Sequence, residues 1–416
     1  MPDATSSLRT RFNPALGTFL LLIGLNLLNF IDRYILPGAQ PLIQREFHST
    51  DQQMGALTTA MFFVYMLAAP ATGWLGDRFS RKPLIIAGAV LWSLATLGTV
   101  WVHSYWTFYL RQGFVGIGEA TFTIYAPSVL ADFYPERERN RVLSIFYIAI
   151  PVGAALGYLA GGELGSLWGW RSPFFICGIP GLVIAGLYGI FGREPLRGGS
   201  DHLRATTNRA TVLGIFRNPA FLTGTLGLAT LTFAMGGISA WMPTFLHRVA
   251  GLSVANASLA VGGITVVDGI AGTLTGGWIA QIWLRTNHRA LYLLSFWSVV
   301  LTIPFGVMLF FGPKSLAIPS LFLAEFFLFL NTGPLNTAIV NSVSAPVRAT
   351  AISVNLFCIH FFGDTFSPQI IGAISDHSNL SIGLGATLIL LVLSAIILRI
   401  GVRHAPPLDE QSKPAA

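Results

Sequence analysis

Long apolar windows repeat along the whole chain, and they constrain its fold more than any other feature. Each is long enough for a helix to cross a hydrocarbon core, which takes about 20 residues. Because backbone groups in lipid need hydrogen-bond partners within the chain, the windows predict helices rather than open strands. We therefore predict an all-α membrane protein with twelve transmembrane helices. The windows are 15–37, 53–75, 83–102, 106–131, 141–163, 172–192, 219–247, 254–281, 289–311, 316–342, 348–374 and 381–403.

Composition supports a membrane protein. The chain is 53% hydrophobic and only 10% charged, whereas about a quarter of the residues in soluble domains are charged. The first window is too long for a secretory signal and lacks a small-residue cleavage site, so we interpret it as an uncleaved span. Cys177 and Cys358 both lie within predicted spans, and they indicate no disulfide framework.

The net charge of +7 comes from 25 Lys and Arg residues that are unevenly distributed between the predicted loops. With a cytoplasmic N-terminus, nineteen lie on the cytoplasmic side, four on the outside, and Arg33 and Arg111 within spans. This positive-inside asymmetry predicts that both termini are cytoplasmic. We expect a monomeric, multi-pass protein of the plasma membrane that contacts membrane lipids and binds no nucleic acid.

The spans fall into two groups of six, separated by a polar stretch. This arrangement is typical of secondary transporters, in which the substrate binds near the midplane between two bundles. The predicted organisation is a cytoplasmic N-terminus at 1–14, an N-terminal six-helix bundle at 15–192, a cytoplasmic linker at 193–217, a C-terminal six-helix bundle at 218–403 and a cytoplasmic tail at 404–416.

Charged residues interrupt two of the spans in the first half. Asp32 and Arg33 lie in span 1, and Arg111 and Glu119 lie in span 4. A charge at bilayer depth costs at least ~2.5 kcal/mol on insertion scales and usually faces a cavity or an ion pathway. At ~1.5 Å per residue, Asp32 and Arg111 fall at one level, so a contact between them is feasible, and Glu119 lies ~12 Å deeper than Arg111.

Burial raises the pKa of a carboxylate, and a nearby cation lowers it. These acids and arginines could therefore exchange protons and partners as access alternates. We predict that Asp32 and Glu119 couple transport to protons, and that Arg33 and Arg111 bind substrate or act as charge partners. The alternative is an ion-pair network that only fixes helix packing.

The loop between spans 2 and 3 carries the strongest local motif, Gly73-Trp-Leu-Gly-Asp-Arg-Phe-Ser-Arg-Lys82. It resembles the loop signature of the major facilitator superfamily, with Ser80 where that family often has Gly. The resemblance implies a gating element that latches the outward-open state, although a generic basic loop is the alternative. The predicted gating residues are Gly73, Gly76, Asp77, Arg78 and Arg81.

Span 5 is rich in Gly and Pro. Gly153, Gly157 and Gly161 recur every four residues, which forms a smooth helix face for close packing. The run resembles the fifth-span signature of facilitator-type antiporters. Pro151, Gly153 and Gly157 are therefore candidates for either a hinge or packing alone.

The second half carries four intramembrane polar residues, Asp268, Glu325, His360 and Asp364. We predict that His360 and Asp364 line the cavity, although a helix histidine is often only a packing residue. The sequence contains no zinc-ligand spacing, phosphate-binding loop or nucleophile elbow. We therefore expect no enzyme activity, no catalytic residues, no cofactor and no metal site.

Four runs of residues together resemble the Spinster family of the major facilitator superfamily, in the form of a short bacterial-type member. The resemblance implies a twelve-helix alternating-access transporter of lysolipids or sphingoid phosphates, coupled to protons. It also implies that Asp32, Arg33, Arg111 and Glu119 occupy the positions that the family uses for coupling and cavity charge. The runs are Asn29–Tyr34, Gly116–Ala120 with Ala126-Pro127, Phe146–Gly153 with Leu156–Tyr158, and His360–Pro368 with Gly372–Asp376.

Three functions remain open at this point. The first is proton-coupled transport of a lysolipid or another amphipathic anion. The second is proton symport of small organic anions such as sugar acids, because the same charges in spans 1 and 4 also occur in that branch. The third is a membrane sensor that binds a ligand without moving it, against which the loop motif argues.

Overall fold

A computed structural model describes residues 14–134, 136–196, 214–343 and 348–406, without the side chains at 77, 136, 137, 140, 348 and 349. All regular secondary structure in these ranges is helical, which confirms the predicted all-α fold. Eleven helices in the described ranges are long and apolar enough to cross a membrane. The twelfth, at 348–377, consists of shorter helical segments.

Six spans form the first half of the molecule. Their bounds are Pro14–Phe47 (span 1), Asp51–Arg78 (span 2), Arg81–Gly98 (span 3), Tyr105–Phe133 (span 4), Glu136–Tyr147, Ala149–Leu159, Ala160–Leu164 and Gly165–Trp168 (span 5), and Ser172–Phe191 (span 6).

Six further spans form the second half. Their bounds are Pro219–Arg248 (span 7), Val254–Leu284 (span 8), Ala290–Phe311 (span 9), Ala317–Leu330 and Thr332–Asn341 (span 10), Arg348–Ile359, His360–Asp364 and Ser367–His377 (span 11), and Leu380–Gly385 and Thr387–Gly401 (span 12).

Polar caps begin several of the spans. The Thr50 hydroxyl accepts a hydrogen bond from the Gln53 N–H at 3.2 Å, and Ser104 does the same for Thr107 at 3.3 Å. Asn218 caps span 7 through the Ala220 N–H at 3.0 Å. Because the first N–H groups of a helix have no partner within it, these side chains define where spans 2, 4 and 7 start.

Spans 1 and 11 depart from the simple helices that their windows predicted. Span 1 continues to Phe47, beyond the predicted end, with Pro37 and Pro41 inside the helix, and membrane helices tolerate proline where neighbours satisfy the freed backbone groups. Span 11 breaks at Gly363, which has φ −103° and ψ −109°. A Cβ atom there would lie 3.0 Å from the Ala229 carbonyl oxygen of span 7, so the break accompanies a close helix approach.

Successive spans run in opposite directions, so their ends alternate between two faces. We call the face that holds Pro14 and His404 the terminal face, and the opposite one the far face. One buried apolar cluster lies within the first half, near the terminal face, and includes Phe19, Ile85 and Tyr188. The other cluster joins span 1 and span 2 to the second half through residues nearer the far face. The apolar core is therefore continuous between the halves only toward the far face, among the residues described.

Candidate functional site

Asp32 and Arg33 are adjacent in span 1 but contact different helices. The Thr96 hydroxyl of span 3 donates to Asp32 Oδ2 at 2.5 Å. Arg33 Nε lies 2.6 Å from Glu119 Oε2 of span 4, where the Glu119 side chain is fully buried and that of Arg33 is 12% exposed. Consecutive helical residues point about 100° apart, which explains the two directions. Span 1 therefore connects to both neighbours through one dipeptide.

Arg111 lies at the level of Asp32, as the helix rise predicted, but the direct contact with that acid that this level made feasible is not formed. Its Nε donates to the Ala95 carbonyl oxygen at 2.9 Å, next to the Thr96 that binds Asp32. The guanidinium also lies over the rings of Phe108 and Phe174, at 5.4 and 5.1 Å. Carbonyls in the last turn of a helix attract cations, which accounts for this alternative partner.

Aromatic side chains surround the Arg33 guanidinium. Its central carbon lies 5.1, 5.7 and 5.3 Å from the ring centres of Phe30, Phe62 and Tyr65. The rings of Phe62 and Tyr65 also lie 6.3 and 5.7 Å from the His360 ring of span 11. Span 2 thus provides a layer of aromatic rings between Arg33 in the first half and His360 in the second.

His360 and Asp364 interact with each other on the second-half side of this layer. His360 Nδ1 lies 2.9 Å from Asp364 Oδ1, and the two side chains are 18% and 15% exposed. Tyr34 of span 1 is close enough to interact electrostatically with both Arg33 and Asp364. The structure therefore brings the two cavity candidates of the second half to the same central region as Arg33 and Glu119.

Two further buried carboxylates lie within the second half. Glu325 of span 10 accepts a hydrogen bond from the Thr265 hydroxyl at 3.1 Å. Asp268 of span 8 is fully buried, and neither of its carboxylate oxygens has a hydrogen-bond partner. The sequence predicted that both residues lie within the membrane, but it assigned a role to neither of them.

A polar network holds the two halves together at the far face. Asp51 at the start of span 2 pairs with Arg248 of span 7 at 2.8 Å and accepts from the Ser375 hydroxyl of span 11 at 2.6 Å. The Asp376 carboxylate accepts from the N–H groups of Asp51 and Gln52 at 2.8 and 2.9 Å. A carboxylate at a helix N-terminus is favoured by the helix dipole, so Asp376 caps span 2 from the other half.

Backbones of spans 2 and 11 also touch at this face. A Cβ atom on Gly55 would lie 2.2 Å from the Pro368 carbonyl oxygen, and one on Gly372 would lie 2.3 Å from that of Asp51. Toward the terminal face, the buried apolar cluster of the first half includes no residue of the second half. The molecule is thus closed at the far face and open toward the terminal face.

Sequence reasoning missed this closure. Asp51, Arg248 and Asp376 all lie at the ends of spans on one face, and the topology alone places them on the same side of the membrane. Which ends meet depends on the packing between the halves, which the hydrophobic windows do not specify. Charged residues at span ends on one face were the available signal.

The loop between spans 2 and 3 packs within the first half. Gly76 is required because a Cβ atom would lie 2.2 Å from the Tyr125 ring, whereas Gly73 has open space around it. The Arg78 guanidinium lies 3.8 Å from the centre of the Trp74 ring. Asp77 is also a predicted gating residue, and its side chain lies outside the part of the structure that is described.

Arg81 and Glu194 anchor the loop to spans 4 and 6. Arg81 Nη2 lies 2.7 Å from Asp132 Oδ2, and the Arg81 N–H donates to Glu194 Oε1 at 2.7 Å. The Lys82 N–H donates to Glu194 Oε2 at 3.1 Å, and the Ser80 hydroxyl donates to the same oxygen. Partial burial alone would raise the pKa of Glu194, but these hydrogen bonds outweigh it and lower that pKa.

We expect Glu194→Gln to lower the free energy of unfolding by about 1–2 kcal/mol at neutral pH, because it removes charge-assisted hydrogen bonds. A carboxylate with a lowered native pKa contributes stability above its usual pKa of about 4.3 and loses it as the pH falls through the native value. The difference between wild type and variant should therefore vanish in acid. Thermal unfolding from pH 7 to pH 3 measures it, with the exposed Glu138→Gln as control. A difference that persisted in acid would contradict this account.

The glycines of span 5 pack directly on span 1. A Cβ atom on Gly153 would lie 2.6 Å from Phe30 Cβ, and one on Gly157 would lie 2.4 Å from the Ile31 carbonyl oxygen. Pro151 cannot donate a backbone hydrogen bond, and the helix is interrupted between Tyr147 and Ala149. The close packing is thus present, and the hinge role of these residues stays a prediction.

Among the residues described, no group of three or more His, Cys, Asp or Glu side chains could hold a metal ion. Cys177 and Cys358 are free thiols in the described structure, as expected from their positions within spans.

Comparisons with known proteins agree with this architecture. The sequence profile described as Major Facilitator Superfamily matches residues 22–368. Protein spinster homolog 1 of Xenopus tropicalis is 34% identical over 380 residues, which cover 86% of this chain and 72% of the relative. The sphingosine-1-phosphate transporter SPNS2 of the same species is 32% identical over 368 residues, with 84% and 72% covered.

Solved structures show the same fold. The crystal structure of a bacterial homolog of the human lysosomal transporter Spinster, in an inward-facing and unoccupied conformation, matches with a TM-score of 0.84 at 24% identity, over 95% of this chain and 98% of that one. A D-xylose–proton symporter matches with a TM-score of 0.73 at 16% identity, over 92% and 97%.

The profile match and the two spinster relatives establish the family, and the structural matches establish the fold. They confirm the resemblance drawn from the four runs of residues, and members of this superfamily are transporters rather than enzymes. The chain is a multi-pass membrane transporter that belongs to the Spinster family of the major facilitator superfamily.

Proposed function

We propose that this transporter moves a lysolipid or another amphipathic anion across the membrane by proton-coupled alternating access. The observation that carries the proposal is the buried ion pair between Arg33 and Glu119, at 2.6 Å, beside the aromatic layer that leads to His360. A buried ion pair at membrane depth is costly and is a strong candidate for a functional site.

The surroundings of Arg33 suit an anion joined to an apolar body. The Arg33 side chain is 12% exposed, and its guanidinium is bordered by the rings of Phe30, Phe62 and Tyr65. An anionic head group can pair with the guanidinium while the chain lies against the rings. The Xenopus tropicalis relative SPNS2 is named a sphingosine-1-phosphate transporter, which is a molecule of this kind.

Protons would be coupled to transport because Glu119 and the substrate anion compete for Arg33. When Glu119 is ionised, it neutralises the guanidinium and disfavours a second anion there. When Glu119 is protonated, the guanidinium is free to pair with the head group of the substrate. Asp32 of span 1 and Arg111 of span 4 bind adjacent residues of span 3, Thr96 and Ala95, so the charge of one stabilises the charge of the other. Asp32 is therefore the second proposed coupling acid, and Arg111 its charge partner.

Alternating access would exchange the far-face closure for one at the terminal face. The present conformation is open toward the terminal face, which we propose is cytoplasmic because most of the Lys and Arg residues outside the spans lie there. In the cycle we assign gating to the loop of Gly73, Gly76, Asp77, Arg78 and Arg81. The halves at 15–192 and 218–403 would move as bundles in a bacterial inner membrane.

Uptake into proteoliposomes tests the proposal. We expect an imposed pH gradient to drive the movement of sphingosine-1-phosphate or lysophosphatidylglycerol, and not of gluconate, relative to protein-free vesicles. Movement of gluconate alone would replace the proposal with symport of small organic anions. Saturable lysolipid binding with no flux under any gradient would indicate a sensor.

A further inference from the structure

We propose that Asp268 and Glu325 form a second proton-binding site, in the second half of the molecule and separate from Asp32 and Glu119. Proton binding by these two acids does not depend on the proposed function, whereas their part in transport rests on it. The proposal stands on the burial of the two carboxylates, their position on facing helices and the lack of a cation beside them.

The two acids lie on facing helices and are withdrawn from solvent. Asp268 has no exposed surface, and Glu325 is 7% exposed. Thr265 lies one helical turn before Asp268 and donates to Glu325 Oε2 at 3.1 Å. One turn is a rise of about 5 Å, so Asp268 is adjacent to Glu325 on the terminal-face side. The two carboxyl groups interact electrostatically.

No cation neutralises this pair among the residues described. Neither acid forms an ion pair, and both oxygens of Asp268 lack hydrogen-bond partners. The titratable groups that face Glu325 from other helices are Tyr34 of span 1 and Tyr158 of span 5. Both phenols are neutral at physiological pH.

The other charged groups on the neighbouring helices are engaged elsewhere. Arg248 of span 7 pairs with Asp51 at the far face, and His360 of span 11 pairs with Asp364. Glu163 of span 5 is exposed, and Tyr292 of span 9 donates to the Ala220 carbonyl oxygen near the terminal face. The Asp268–Glu325 pair therefore has no source of positive charge within the described protein.

Two ionised carboxylates without a counter-ion are strongly disfavoured in a low-dielectric interior. A proton is the ligand that resolves this with the groups present. A hard metal cation would need six or more oxygen ligands, whereas the site offers two carboxylates and one hydroxyl. The pair should share at least one proton and titrate as a coupled unit.

A small cavity lies beside Glu325, on its far-face side. Glu325 borders a cavity of about 10 Å³ together with Thr302, with apolar residues forming the rest of its wall. That volume is close to the smallest that admits one water molecule. Asp268 lies between Glu325 and the terminal face, toward which the molecule is open. Asp268 is thus the acid of the pair that lies nearer the open side.

Infrared spectroscopy of the full-length protein in lipid nanodiscs, without substrate, tests the site. We expect a band of protonated carboxylic acid at neutral pH, which Glu325→Gln removes and Asp268→Asn removes or shifts. Glu163→Gln, at an exposed acid, is the matched control and should leave the band unchanged. If Glu325→Gln does not fold, Glu325→Asp should shift the band instead.

Three results would overturn the site. They are no such band in wild type, a band unchanged by both substitutions, or a band abolished by Na⁺ but not by K⁺, which would indicate a sodium site. Glu119→Gln separates the two acid sites, because it should leave the band of the second half in place. Since no substrate is present, failure of lysolipid transport would leave this result standing. Conversely, if transport is driven by protons but both substitutions leave the band unaltered, only the proposed second site is ruled out.

Discussion

Replacing Glu119 by Gln is expected to abolish accumulation driven by a pH gradient while substrate exchange across equal pH continues. The amide has the shape of the carboxyl group but carries no charge, so it resembles the protonated acid at every pH. Arg33 then has no anionic partner to compete with the substrate. We expect gradient-driven uptake of the lysolipid to fall at least about tenfold, which corresponds to about 1.4 kcal/mol.

Asp32→Asn is expected to have the same effect, because it removes the second proposed coupling acid. The packing should be kept, since the Thr96 hydroxyl can still donate to the amide oxygen. Glu163→Gln makes the same chemical change at an exposed acid and should transport like wild type. Rates of uptake and exchange in proteoliposomes measure all three variants. Wild-type dependence on the pH gradient in both Glu119→Gln and Asp32→Asn would remove these acids from the coupling role.

Replacing Gly372 by Leu is expected to open the far face. Its Cβ atom would lie 2.3 Å from the backbone oxygen of Asp51, and backbone cannot move aside as a flexible side chain can. Overpacking of this kind costs about 1–3 kcal/mol. Relief comes if spans 2 and 11 separate, so the cost is specific to the closed conformation. The equilibrium should shift toward a far-face-open state by about fivefold to more than a hundredfold.

Spin labels at His103 and Lys314, which are exposed at the far face on opposite halves, report this opening as a longer distance. The labels need a background in which the free thiols Cys177 and Cys358 are replaced. Gly186→Leu is the matched control, because a Cβ atom at Gly186 meets no neighbour within 4 Å. Unchanged distances in folded Gly372→Leu would contradict the assigned closure.

Helix positions could be predicted from hydrophobicity because crossing a membrane requires a long apolar stretch. The window 106–131 differs from the observed Tyr105–Phe133 by only a few residues. The window 15–37 ends ten residues before Phe47, because the helix continues into polar sequence after the apolar stretch has ended. The break at Gly363 was not predicted, since it depends on contact with span 7 rather than on local sequence.

The candidate site was predicted in its residues but only partly in its contacts. Helix rise correctly placed Asp32 level with Arg111, because rise depends only on residue number. The partners depend on the direction in which each side chain points, so Arg33 rather than Arg111 pairs with Glu119. The nearness of His360 to Arg33 depends on how the two halves meet, which no local motif specifies.

The far-face network of Asp51, Arg248 and Asp376 has a thermodynamic consequence. Opening this part of the interface exposes polar groups, whereas apolar cores expose hydrocarbon when they open. Exposure of polar surface lowers the heat capacity, and exposure of apolar surface raises it. The network should therefore offset the heat-capacity change of the buried apolar residues around it. In a transporter closed in this way, the enthalpy difference between the two conformations should change little as its surroundings warm or cool.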